Sequence, residues 1–251
     1  MANVSRETSE REWRRQCEAL TAGLRLLAWP LSERQRQQFR SYLKLLLEWN
    51  RHVNLFSRHD VPRLAERHLL ESVAWVRALP EPLASPLLDL GSGAGFPGVP
   101  LAVLFPQLHV VLVESRKKRA LFLQRVVREL ELGASVTVVP ERVELLAESP
   151  EHLEHYRSIT ARAVAPLSRL LAWCDPLLAP RGRLFAFKGD RLKEELQSLR
   201  PSLQKGLQFE AEVIDYAVWR NVLDGPQRII RRVVCLKKRS GGEGQDGTRS
   251  I

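Results

Sequence analysis

The segment of this 251-residue chain best equipped for chemistry is Leu88-Asp89-Leu90-Gly91-Ser92-Gly93-Ala94-Gly95-Phe96-Pro97-Gly98. Three alternate glycines directly after an apolar run let the backbone turn tightly and approach a ligand where any side chain would collide with it. Taken from Gly93, the segment also satisfies G-x-G-x-x-G, and Glu114 stands 21 residues on, at the end of the next apolar run, where a carboxylate grips ribose hydroxyls. The pattern therefore points to a nucleoside-type cofactor, either S-adenosylmethionine or NAD. Asp89 favours the first: its carboxylate would hold a cationic amino group such as that of a methionine moiety, and would repel a pyrophosphate. No recognisable hydride-transfer set follows, whereas Glu114 serves either cofactor equally. The plainer alternative is a tight strand-to-helix turn with no ligand.

Four further positions invite a polar role. Arg162 and Lys188 each close a β-type run, and the carboxyl ends of strands face the ligand crevice of open α/β sheets. Arg162 suits a carboxylate or phosphate, and Lys188 suits a phosphate or a base oxygen, with simple solvation as the alternative for the lysine. Arg67 and His68, with Glu71-Ser72 one turn on, read as a polar cluster, although His68 beside Leu64 and Leu69 would also make a satisfied interior histidine.

The elements that must position these residues follow from periodicity. Up to about residue 80 the apolar positions recur at three and four, as in Phe39, Tyr42, Leu43, Leu46 and Leu47, and again in Leu64, His68, Leu69, Ser72, Val73 and Val76. Ser32-Glu33 marks one helix start and Asp60 with Pro62 another, the segment from Asn50 to His59 being a connector. Pro80, Pro82 and Pro86 then set a boundary near Leu83. Beyond it, β-type runs at 86–90, 109–114, 135–139, 158–160 and 182–187 alternate with helix-type segments at 99–105, 116–131, 143–147, 166–178 and 191–199. Runs at 210–222 and 228–238 flank Asp224-Gly225, a hairpin signal. The expected class is α/β: a seven-stranded, Rossmann-like class I methyltransferase sheet with a terminal antiparallel hairpin, preceded by a small helical region. The expected divisions are 1–82 (helical), 83–239 (cofactor domain) and 240–251 (tail without a site).

Composition narrows the class. Thirty-nine Lys and Arg against 29 Asp and Glu leave a formal charge of +10, which makes a polyanionic partner plausible. No apolar stretch approaches the roughly 20 residues of a membrane span, and Met1 to Glu12 is too polar for a signal peptide, so a cytoplasmic protein without membrane contact is expected. Cys17, Cys174 and Cys235 are an odd set without C-x-x-C or clustered histidine, which speaks against a disulfide framework and a metal site and for three small buried hydrophobes.

From about Leu45 to Lys238 the chain resembles the bacterial 16S rRNA guanine-N7 methyltransferase family RsmG, also called GidB. The resemblance rests on Trp49-Asn50-Arg51-His52-Val53-Asn54-Leu55, Arg67-His68-Leu69-Leu70-Glu71-Ser72, Leu88 to Pro100, Glu141-Arg142-Val143-Glu144, Thr160 to Leu167 and Phe187-Lys188-Gly189. It implies methyl transfer from S-adenosylmethionine to N7 of a guanine in the 530 loop of 16S rRNA, at position 527. The partner implied is 16S rRNA, the small ribosomal subunit or an assembly intermediate, and a monomer is expected. The implied cofactor site comprises Asp89, Gly91, Ser92, Gly93, Gly95, Phe96, Glu114, Val143, Glu144 and Arg162. Phe96 has a packing reading beside the pocket reading, and Glu144 could be a solvated helix-start acid. The substrate side would use Asn54, Arg67, His68, Arg116, Lys117 and Lys188. One departure stands out: Tyr156-Arg157 replaces the usual aromatic-Asp pair at the fourth strand, which puts in doubt the packing beside the third helix of the α/β part.

Guanine N7 carries an in-plane lone pair and no proton, so its methylation needs no general base. No essential catalytic residue is expected, only positioning by Arg162 and Lys188. In agreement, the chain lacks a Pro-Cys nucleophile and an Asn/Asp-Pro-Pro-Tyr motif, and has Ala161-Arg162-Ala163 after the fourth strand. Basic residues at 51, 58, 63 and 67, at 116–119, at 231–232 and at 237–239 offer electrostatic contact with RNA, the 116–119 cluster lying nearest the expected site. Two other readings compete: the same cofactor with another RNA or a small molecule as substrate, and a non-catalytic RNA-binding assembly protein.

Overall fold

The computed structural model describes residues 2–189, 192–204 and 209–239. The expected tail from residue 240 lies outside them. The first layer is helical: α1 (Ala2–Leu26), α2 (Glu33–Trp49), a 3-10 turn (Arg58–Arg63), a π-helical turn (Ala65–Leu70), α3 (Glu71–Ala74) and a second 3-10 turn (Trp75–Ala78). Then come β1 (Leu87–Leu90), α4 (Gly98–Leu104), β2 (Val110–Val113), α5 (Lys117–Glu129), β3 (Val136–Val139), α6 (Val143–Leu146), β4 (Tyr156–Arg162), α7 (Leu167–Cys174), β5 (Leu178–Phe187), α8 (Leu192–Gln204), β6 (Phe209–Arg220) and β7 (Gln227–Lys238).

The seven strands form one sheet in the order β3-β2-β1-β4-β5-β7-β6, with β7 antiparallel to both of its neighbours. This is the sheet with a terminal hairpin expected from the sequence. The first five strands run parallel, so their carboxyl ends share one edge. β5 pairs with β7 only over Arg183–Phe187 and Val233–Lys237, so the half of the hairpin nearer its turn projects beyond that edge.

Helix α2 starts where expected. Ser32 caps it, with Gln35 returning the bond to the Ser32 backbone, and Phe39, Tyr42, Leu43 and Leu46 bury its apolar face. The Gln35 amide also donates to the carbonyls of Val103 and Leu104 at 2.9 and 3.3 Å, and that of Gln38 to Leu130 at 2.7 Å. Two polar side chains of α2 thus satisfy the otherwise orphaned carbonyls ending α4 and α5. The helical layer and one face of the sheet share a single apolar core, running from Leu24, Tyr42 and Leu46 through Val99 and Phe122 to Phe185. A second core on the opposite face joins Leu88 and Leu90 to Val143, Leu170 and Cys174.

Several boundaries differ from expectation for identifiable reasons. The turn expected at Asp60 starts earlier, with Ser57 as its cap, because Asp60 is buried in side-chain bonds. β4 extends beyond 158–160 to Tyr156–Arg162, since a central strand is held by neighbours on both sides. α7 stops at Cys174, ahead of Asp175-Pro176, and β5 begins at Leu178 through an irregular stretch with Arg181 at φ +64°. β6 ends at Arg220 because Asn221 turns to φ +50° and Val222 is buried, its N–H donating to Glu66 at 3.0 Å. Arg157 is exposed, and Tyr156 is fully buried with its hydroxyl 2.7 Å from His152 Nδ1, so β4 forms without the acid usual at that place. Among the described residues, Cys174 and Cys235 are buried, no group of His, Cys, Asp and Glu converges as for a metal ion, and no helix is long and apolar enough to cross a membrane.

Candidate cofactor site and adjoining basic cleft

Gly91, Gly93 and Gly95 all adopt positive φ, at +68°, +58° and +95°. Their roles differ. A Cβ on Gly95 would lie 2.7 Å from Val99 Cγ2 and 2.8 Å from Tyr42 Oη, so that glycine exists for packing beneath the loop. A Cβ on Gly93 would meet only ordinary contacts, the nearest being Arg119 Nη1 at 3.6 Å and Glu114 Oε2 at 3.9 Å, so this buried glycine is not needed for packing as Gly95 is, and Gly91 is the exposed glycine of the loop. Glu114 braces this stretch: one oxygen accepts from Gly93 N–H at 2.9 Å and the other from Arg116 N–H at 2.8 Å. Each carboxylate oxygen keeps a second lone pair, a donor-accepting pair matched to the two hydroxyls of a ribose.

Asp89 departs from its expected role. It is completely buried under the loop, one oxygen accepting from Thr160 Oγ1 at 2.8 Å and the other from Gly98 N–H at 3.1 Å. A central strand with both faces covered hides the carboxylate, and Gly98, where a Cβ would come within 2.8 Å of Asp89 Oδ2, lets the backbone close over it. Burial pushes its pKa up to about 6, against the lowering effect of its hydrogen bonds, chiefly that from Thr160. Asp89 therefore staples the loop to the start of α4. Ser92 likewise turns inward, its hydroxyl donating to Asp89 O at 2.7 Å.

The helical layer supports the loop from behind. Tyr42, fully buried on α2, donates to Ala94 O at 2.5 Å. Phe96 is buried, with its ring stacked on His68 at 5.0 Å and edge-on to Tyr42 at 6.0 Å, the contacts of its packing reading. Asp60 binds His68 Nε2 at 3.1 Å and Arg67 Nη1 at 3.2 Å. Burial first, and then the Arg162 charge, push the His68 pKa down to about 4, leaving a neutral ring against Phe96. Arg119 reaches from α5 to donate to Asn54 O at 2.6 Å, tying the connector to α5.

Beside the loop, at the carboxyl ends of β4 and β5, lies a cleft of about 980 Å³ lined by Arg67, Arg162, Lys188, Lys193, Arg220 and Arg231 among others. Glu71 is the acidic residue at its centre. Its carboxylate meets Arg162 at 3.1 Å, Arg231 at 3.4 Å and Arg220 at 4.0 Å. Arg162 also donates to Arg67 O at 2.9 Å and His68 O at 3.4 Å, carbonyls presented by the π-helical turn. Lys188 is turned inward, its ammonium 2.8 Å from Glu195 and 2.5 Å from Ala165 O. It clamps the segment after β4 to α8, in place of the outward reach expected for it. Arg162 is similarly tied to the protein.

The structure thus brings Gly91, Gly93, Gly95, Ser92, Asp89, Phe96 and Glu114 together in one loop assembly, and Arg67, Arg162 and Lys188 around one cleft. Val143 is buried at the start of α6, with Glu144 exposed beside it. Arg116 and Lys117 are exposed on the far side of Glu114, at the start of α5, and do not line the cleft. Reasoning from the sequence assigned no site role to Tyr42, Thr160, Glu71 or Arg220. Tyr42 was one apolar position among many, whereas the Glu71 carboxylate beside Arg67-His68 was a usable signal.

Comparison with known proteins agrees with this geometry. Residues 35–218 match the family model of GidB, rRNA small subunit methyltransferase G. A curated protein of that name from Roseiflexus castenholzii is 43% identical over 175 residues, covering 70% of this chain and 74% of the relative. Another from Pelotomaculum thermopropionicum is 31% identical over 233 residues, covering 88% and 97%. Among solved structures, a provisionally assigned transferase of Pyrococcus horikoshii superposes with a TM-score of 0.51 at 14% identity, over 74% of this chain and 65% of that one, a likeness of fold.

Proposed function

Because the chain belongs to the rRNA small subunit methyltransferase G family, we propose that it transfers a methyl group from S-adenosylmethionine to N7 of a guanine in the 530 loop of 16S rRNA, at position 527. The observation that carries this reading is that a glycine loop braced by Glu114 follows β1, the strand paired with β4, so that it shares the carboxyl edge of the sheet with a cation-lined cleft at the ends of β4 and β5. The loop suits a nucleoside cofactor, and the cleft suits a polyanion whose reactive base enters from the same edge. We assign residues 83–239 to the cofactor-binding part and residues 1–82 to its support.

The residues present fit S-adenosylmethionine. Glu114 would take the ribose hydroxyls, the backbone of Gly91 to Gly93 would lie against the amino-acid portion, and Val143 and Glu144 would edge the base. When bound, the cofactor supplies an electrophilic methyl group on a sulfonium. The protein then has to hold the guanine in line, exclude water and tolerate positive charge on the product base. N7 attacks with its own lone pair, so no side chain need remove a proton. Arg162 and Lys188 act as positioning residues: the first fixes the π-helical turn to the end of β4, and the second fixes the loop after β4 to α8.

The test is transfer of labelled methyl from S-adenosylmethionine to naked 16S rRNA, to isolated small subunits and to subunits lacking the modification, with the product base mapped. Label at guanine N7 in the 530 loop is expected. Binding of S-adenosylmethionine without transfer to any of these substrates would overturn the assigned substrate.

A further inference from the structure

Arg220 and Arg231 stand on the projecting half of the β6–β7 hairpin, and the structure pairs both with the same Glu71 that holds Arg162. Three guanidinium groups around one carboxylate leave two positive charges uncompensated within that group. The Glu71 side chain is only 13% exposed and those of Arg220 and Arg231 are 38% exposed, so water screens the cluster in part, and like charges held at such range still repel one another. Arg63 and Arg67 add to that repulsion on Arg220. Arg67 is itself engaged by Asp60. A protein keeps such a cluster at a cost, and an arriving anion relieves it.

The same cleft carries an unusual apolar surface. Ile230 and Val213, on the hairpin, are 48% and 40% exposed and line the cleft opposite Leu192 and Leu196 of α8. Side chains alternate along β6 and β7, so Ile230 and Val213 stand on the opposite face of the hairpin from Arg220 and Arg231 and line the cleft from its α8 side, leaving the arginines on the side of Glu71. Arg116, Lys117 and Lys118 form the competing basic patch, but they stand at the start of α5, beyond Glu114, on the side of the sheet away from the ends of β4 and β5.

We propose that Arg220 and Arg231 bind the RNA backbone phosphate next to the target base, and that Glu71 holds their guanidinium groups converged until the phosphate arrives. The proposal deepens the rRNA reading above and rests on it. Phosphate displaces Glu71 as the partner of the hairpin arginines, while Arg162 keeps its bonds to Glu71 and to the carbonyls of the π-helical turn. The projecting hairpin thereby sets the register of the strand over the cleft.

The test uses the full chain and a fluorescently labelled 16S rRNA fragment containing the 530 loop, titrated between about 50 and 200 mM salt. Wild type is compared with the double variant Arg220→Gln/Arg231→Gln and with Arg116→Gln/Lys117→Gln/Lys118→Gln, with S-adenosylmethionine affinity measured on each by calorimetry. The expected result is a loss of RNA affinity of about tenfold or more in the double variant, and a salt slope shallower by about 0.7 to 0.9 for each lost phosphate contact, with cofactor affinity unchanged. An unchanged slope in the double variant, or a loss confined to the 116–118 variant, overturns the proposal. Should the double variant fold poorly, Arg220→Gln alone removes only a 4.0 Å contact and must still weaken RNA binding and make the slope shallower than that of wild type. The two readings fail separately. Wild type that methylates the loop while the hairpin variants keep their slope refutes the phosphate site alone, and a slope that falls in protein unable to methylate rRNA refutes the substrate assignment alone.

Discussion

Arg162 Nη2 lies 3.1 Å from Glu71 Oε2, and the same nitrogen donates to the Arg67 carbonyl at 2.9 Å. One guanidinium at the carboxyl end of β4 thus grips both the side chain of α3 and the backbone of the turn before it. The end of the strand, the helical layer and the hairpin meet at this point, and the predicted consequences radiate from it.

Replacing Glu71 by Gln leaves Arg162, Arg220 and Arg231 without their shared counter-charge. Stability is expected to fall by about 2 kcal/mol, below the usual cost of breaking a buried pair because the cluster retains some solvent. Urea unfolding in low salt measures the loss, which shrinks in high salt as the arginines are screened.

Tyr42→Phe removes the hydroxyl that donates to Ala94 O and leaves that carbonyl unpaired in a buried place. A stability cost of about 1 to 3 kcal/mol follows. Because Ala94 sits within the glycine loop, the KM for S-adenosylmethionine should rise several-fold while the KM for rRNA stays put. Steady-state kinetics varying each substrate separates the two.

Alanine at two glycines should give opposite phenotypes. Gly95→Ala drives a Cβ to 2.7 Å from Val99 and 2.8 Å from Tyr42 at φ +95°, so lost stability of about 3 kcal/mol is expected. Gly93→Ala, at φ +58° with nothing nearer than 3.6 Å, costs about 1 kcal/mol of strain, yet places a methyl against Arg119 and the Glu114 carboxylate. Calorimetry should find a folded Gly93→Ala protein that has lost cofactor affinity tenfold or more.

Burial, with the Arg162 charge, pushes the His68 pKa down to about 4 in the folded protein, from near 6.5 in the unfolded chain. Between these values the unfolded chain takes up a proton that the folded one declines, so the histidine's contribution to stability is intact above about pH 6.5 and falls as pH drops toward 4. At pH 5 the loss is about 2 kcal/mol relative to pH 7. His68→Phe keeps a ring against Phe96 and should lose this component, which unfolding at the two pH values compares directly. Asp89 acts in the opposite sense over an overlapping range: its pKa, raised to about 6, costs stability as pH climbs from about 4 to 6, and His68→Phe should expose that slope.

By itself the sequence determined what local rules encode. Glycine spacing required a bare turn after β1, alternation and helical periodicity set the order of the elements, and Ser32 with Glu33 marked the start of α2. It also placed Glu114, Arg162 and Lys188 at strand ends. Only the tertiary structure decided which way those side chains turn and whom they meet. Glu71 and Arg162 are separated by 91 residues, and Glu71 and Arg231 by 160, so no local pattern could announce their convergence. Asp89 is the sharpest case. Its place before the glycines suits a ligand's amino group, but covering both faces of the central strand removes it from solvent, where its oxygens accept from Thr160 and Gly98. Chain-local signals specify backbone conformation because φ and ψ are set between neighbours. Charge partners are set by packing, which exists only once the sheet has closed and the helical layer has docked on it.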